Sequence, residues 1–132
     1  MKVKGLKGSL TVEMSVIVPV VLVIFMGIIS VVFYYHDKNV LNGAAYETAV
    51  VGSSKMREKE EITEEELIEF CEERLQGKCI FLTYADIEVC ISEDEVLVNL
   101  SARKKGIKVS VTKKSALTQP EKKIRDIRRL DI

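Results

Sequence analysis

From Met14 to Tyr35 the chain runs for 22 residues without one Asp, Glu, Lys or Arg, and no other feature restricts its fold so strongly. As a helix rising about 1.5 Å per residue, this run is about 33 Å long, against a hydrocarbon core of about 30 Å. The rival reading is the buried helix of a soluble protein. A cylinder that is apolar on every side needs neighbours on every side, and the rest of this 132-residue chain is too short and too charged to supply them. The run is rich in Val and Ile, which are poor helix formers in water. In lipid the backbone must satisfy its own hydrogen bonds, and a helix is the one single-segment way to do so. Pro19 removes one of those bonds and reads as a tolerated bilayer kink.

The 20 basic and 20 acidic residues lie almost entirely outside this run. What remains is enough for one small domain, which argues against a large enzyme fold with a deep cleft. A formal net charge of zero gives no reason to expect a nucleic-acid partner. Lys2, Lys4 and Lys7 precede the run with no acid among them, whereas His36, Asp37 and Lys38 follow it. The positive-inside bias therefore puts the N-terminus in the cytoplasm and the C-terminal domain outside, as a single-pass protein of the cell membrane. A cleaved secretory signal peptide is the competing reading. Its apolar region would run about 7 to 15 residues before a small-x-small site; this run is longer, and Gly43-Ala44-Ala45 comes well past its end.

One acid breaks the boundary between the lysines and the apolar run. Glu13 directly precedes Met14, and a helix beginning near Ser9 places it about one turn in, where the helix dipole favours an acid. Buried in lipid, that carboxylate needs a partner. The stretch Lys7-Gly8-Ser9-Leu10-Thr11-Val12-Glu13, followed at once by a long apolar helix, resembles the class III signal sequence of type IV pilins and pseudopilins. Ser9 in place of a first Phe, and Val18-Pro19-Val20 after the acid, are more similar to TadE-type minor pseudopilins of tight-adherence (Tad/Flp) pilus systems. The resemblance is strong over roughly residues 5 to 50. It implies cleavage by a prepilin peptidase between Gly8 and Ser9, and Glu13 in the place of the family's glutamate at the fifth mature position. It also implies packing of the transmembrane helix against other pilins and work with pilus platform proteins. Cleavage after Gly8 removes all three leading lysines and leaves one α-amine, which Glu13 of a neighbouring subunit can neutralise within the bilayer.

Beyond the apolar run, Val40, Leu41, Ala44, Ala45, Thr48 and Val51 recur at helical intervals, predicting an amphipathic stalk that Gly52-Ser53-Ser54 ends. In pilin-like proteins this half of the helix packs on a sheet. Thr63 followed by Glu66 opens a glutamate-rich helix with Leu67, Ile68, Phe70, Cys71 and Leu75 on its apolar face, stopped at Gly77. Its carboxylates read as a solvated face; glutamate runs without an Asp/Asn-rich loop make no calcium site. Three alternating runs follow, Ile87–Ile91, Val96–Leu100 and Ile107–Val111, joined at Ser92-Glu93-Asp94 and at Lys104-Lys105-Gly106. They predict an antiparallel meander with Glu88, Lys108 and Thr112 on its wet face. The tail carries Ile124, Ile127 and Leu130 among Lys122, Lys123, Arg125, Arg128 and Arg129, a short basic helix that docks on the sheet or lies on anionic headgroups.

The fold class is therefore α+β. It comprises a leader over residues 1–8, a transmembrane helix over 9–37, a stalk over 38–55 and an extracytoplasmic domain over 56–132. With His36 as the sole histidine, no histidine triad or histidine-rich zinc site can be assembled within one chain, and neither cofactor nor enzymatic activity is expected. Cys71, Cys79 and Cys90 allow one intramolecular disulfide from three pairs. Cys79 and Cys90 are close enough along the chain to meet across a sheet. Two functions remain: a pseudopilin-like subunit taking part in pilus assembly, or an unprocessed membrane-anchored adaptor or sensor.

Overall fold

The computed structural model describes residues 4–58, 60–117 and 120–130. Lys2 lies outside them, as do the side chains of Lys4 and Lys7. The chain divides into two compact units, Met1–Tyr35 and His36–Ile132. Helix α1, Lys4–Arg57, contributes to both.

In the first unit α1 is helical from Lys4 onward and runs through Pro19 without interruption. The helix thus begins before Ser9, and the expectation that Glu13 sits one turn from its start is corrected: in the intact chain Glu13 is nine residues past Lys4. No residue of the uncharged run is buried. The soluble alternative required a jacket around this cylinder, and none of its large aliphatic side chains has one.

The second unit is an α+β head. After its share of α1 come α2 (Glu64–Leu75), β1 (Tyr84–Ile91), β2 (Glu95–Lys104), β3 (Ile107–Ala116) and α3 (Pro120–Leu130). The strands form one antiparallel sheet in the order β1-β2-β3, with Glu88 opposite Asn99 and Asn99 opposite Thr112. Alternation sends Val89, Val96, Val98, Leu100, Ala102, Val109 and Val111 inward, while Glu88, Lys108 and Thr112 are exposed, as their spacing predicts. The β2–β3 connection is the two-residue turn Lys105-Gly106, with φ of 42° and 88°. Both residues lie in the left-handed region that a primed hairpin turn demands.

The stalk face of α1 and the apolar face of α2 meet this sheet. Leu41, Ala44, Ala45, Thr48 and Ala49 are buried, as are Leu67, Cys71 and Leu75. Thr63 caps α2 by accepting the Glu66 N–H at 3.4 Å, and Gly77 ends it at φ 73°. The predicted stop at Gly52-Ser53-Ser54 is overturned, since α1 continues to Arg57. The reason is packing. A Cβ on Gly52 would stand 2.9 Å from Leu67 Cδ1 and 3.3 Å from Val96 Cγ1, so glycine here admits α2 and β2 rather than ending the helix. Ser53, buried beside it, shares a 2.9 Å hydrogen bond with Ser115 of β3.

The docked reading of the tail is also corrected: every residue of α3 is exposed. The packed side of the sheet is already occupied by α1 and α2, and its other side is mostly polar, with Glu88, Asn99, Ser101, Lys108, Ser110 and Thr112 alongside Leu97.

Candidate functional site

The residues implicated in processing lie in the first unit. Gly8 and Ser9 are both helical and exposed, and nothing stands within 4 Å of the Cβ that Gly8 lacks. Ser9 Oγ lies 3.5 Å from Glu13 Oε1, one turn on. Ser15 and Ser30 turn their hydroxyls back to the carbonyls of Val12 and Met26, at 2.7 and 2.8 Å, so their polar atoms are satisfied by the helix itself.

The second unit holds a site that sequence reasoning passed over. Asp37 is fully buried, and it lies past the uncharged run, within the head. Its carboxylate accepts three successive backbone N–H groups, from Ile80 at 2.9 Å, Phe81 at 2.6 Å and Leu82 at 2.7 Å. His36 Nδ1 lies 3.2 Å from the oxygen that Ile80 binds. Successive amides turned to one side form an anion-binding concavity, here filled by the protein's own acid. Burial alone would raise the Asp37 carboxyl, but the hydrogen bonds from Ile80, Leu82, His36 and Phe81 together outweigh it and hold its pKa below the usual value. The effect is a latch, in which the loop after α2 is fastened to α1 at the first residues of the head. In sequence Asp37 looked like a flanking charge. The available signal was its phase: four residues before Leu41 and seven before Ala44, it lies on the buried stripe of the stalk.

The thiols occupy three environments. Cys71 is buried, Cys79 half-buried and Cys90 exposed, and all three are free. Cys79 and Cys90 are therefore not joined here. Cys79 belongs to the loop before β1, whereas Cys90 is six residues beyond the strand's first residue, about 20 Å along an extended chain. Burial pushes up the Cys71 thiol, and pushes up Cys79 with the charge of Asp37 adding to it.

Beside the latch is an open groove of about 710 Å³. Leu75, Leu82 and Ala102 form buried parts of its wall, Ile80 is 58% exposed in it, and Glu69, Glu72 and Glu73 of α2 stand on its rim. Among the described residues, no group of three His, Cys, Asp or Glu side chains is placed to hold a metal ion.

One apolar helix with no buried residue in its uncharged run, and a small sheet domain closed over the helix's later residues, define an α+β protein with, among the described residues, a single candidate membrane anchor. Residues 8–50 match the model of the family described as TadE-like protein, which is consistent with a TadE-type protein of Tad pilus systems. The match starts at Gly8, takes in Glu13 and Asp37, and stops before α2 and the sheet. No curated protein and no solved structure matches the chain.

Proposed function

We propose that this protein is a non-enzymatic, pseudopilin-like subunit that takes part in assembly of a Tad/Flp-type pilus. It is inserted with its N-terminus in the cytoplasm, cut by a prepilin peptidase between Gly8 and Ser9, and joined to other pilins through its transmembrane helix. The observation that carries this reading is the TadE-like match over residues 8–50, which begins at the glycine of the proposed cut.

The chemistry of the junction supports it. A peptidase needs extended substrate, and the Gly8–Ser9 bond lies in helix; Gly5 and Gly8 each weaken that helix by about 1 kcal/mol relative to alanine, so local unwinding there costs least. Once Ser9 is the first residue, Glu13 stands in the first turn, where the helix dipole favours its negative charge. The new amine and this carboxylate then leave each subunit with one charge of each sign, one helical turn apart. Pairing them between neighbours satisfies both and sets the axial register.

Co-expression with a prepilin peptidase, followed by intact-mass measurement, tests the first step. The expected product has lost residues 1–8, and recovery of the chain with Met1 in place would end this reading in favour of a permanent anchor. Glu13→Ala is expected to leave membrane insertion intact and to remove the subunit from assembled filaments.

A further inference from the structure

Two surfaces of the head have no role in the reading above, and they complement each other. Helix α3 presents Ile124, Ile127 and Leu130 at three-residue spacing within an arc of about 120° at 100° per residue, and all three are more than half exposed. Five Lys or Arg accompany them against Glu121 and Asp126. The groove beside the latch has the opposite charge, with an exposed Ile80 and a rim of Glu69, Glu72 and Glu73. These rim residues belong to α2, which carries six glutamates and a single arginine.

We propose that α3 of one copy docks in the α2–β1 groove of a second copy. Its isoleucines cover Ile80 and its arginines face the glutamate rim. Docking within one chain is not observed, since every residue of α3 is exposed. Strand β3 ends at Ala116, opposite Glu95, whereas the groove reaches the sheet at Ile87 of β1 and Ala102 of β2, five to seven residues along β2 and about 17 to 23 Å away. Only three residues separate Ala116 from Pro120, and the packed side of the sheet between these points is filled by α1 and α2. A lipid surface is a poorer match than the groove, because α3 has no aromatic residue to seat at an interface and Lys123 falls inside its apolar arc. The contact joins two different surfaces, so a pair still has one α3 and one groove free, on different copies, and the series of copies stays open. It does not depend on processing at Gly8.

Full-length chains in detergent micelles test the proposal through two variants, Ile80→Cys and Ile127→Cys, each also carrying Cys79→Ser and Cys90→Ser. Mixed and oxidised, they are expected to give a disulfide-linked heterodimer. Reversing Glu69, Glu72 and Glu73 to Lys on the first chain lowers its yield roughly tenfold, as does reversing Arg125, Arg128 and Arg129 to Glu on the second; combining the two reversals restores it. That rescue requires both variants to be folded. A chain carrying both cysteines that closes on itself and remains monomeric would overturn docking between copies. So would an unlinked mixture in which α3 is instead protected from protease by phosphatidylglycerol vesicles.

Discussion

Asp37 shows how one side chain carries the attachment of a whole loop. Removing its charge orphans donors rather than a single contact, and each buried donor left unpaired costs about 1 to 3 kcal/mol. Asp37→Asn keeps the shape but turns an amide N–H₂ toward backbone N–H groups. It is expected to destabilise the head by roughly 2 to 4 kcal/mol in urea unfolding. The pH dependence has a definite sign. The folded carboxyl lies below its unfolded value, near 3.9, so its contribution is complete above that value and is lost as pH falls through the folded one. Stability of the native chain should thus fall on the acid side below about pH 4, and the asparagine variant should lack this component of the slope. Because the Asp37 charge also helps hold the Cys79 thiol up, the same variant should alkylate faster at Cys79. None of this was legible from neighbouring residues, since the carboxylate's partners are 43 to 45 positions away; only its place on the stalk's buried stripe hinted at it.

Among the elements, legibility followed periodicity. The strands announced themselves because Val96, Val98 and Leu100 face one core while Glu88, Lys108 and Thr112 face water, and period-two alternation has one physical reading. The Thr63 cap and the Gly77 stop bounded α2 for similarly local reasons. Gly52 misled because its local meaning, a weak point in a helix, was overridden by tertiary approach. Gly52→Val is therefore expected to destabilise the head by about 2 to 3 kcal/mol through overpacking, although valine favours a helix more than glycine does. Thermal unfolding checks this, and a rise in melting temperature would show that Leu67 and Val96 can yield. The exposure of α3 was equally beyond sequence, because an amphipathic pattern states that one face wants cover without saying what covers it.

At the scale of the molecule, the three thiols report on different parts of the fold. In the native full-length chain Cys90 should react with a maleimide within minutes, Cys79 more slowly, and Cys71 only under conditions that unfold the head, a sequence readable by mass spectrometry. Early modification of Cys71 would mean that α2 lifts from the stalk without global unfolding. The latch also has a consequence in time. The ribosome makes Asp37 long before it makes Ile80, Phe81 and Leu82, so the nascent helix must carry an unanswered carboxylate just past its greasiest stretch. The latch is completed only once the chain has been made through Leu82, and any truncation ending before Ile80 leaves that acid hydrated and the base of the head unfastened.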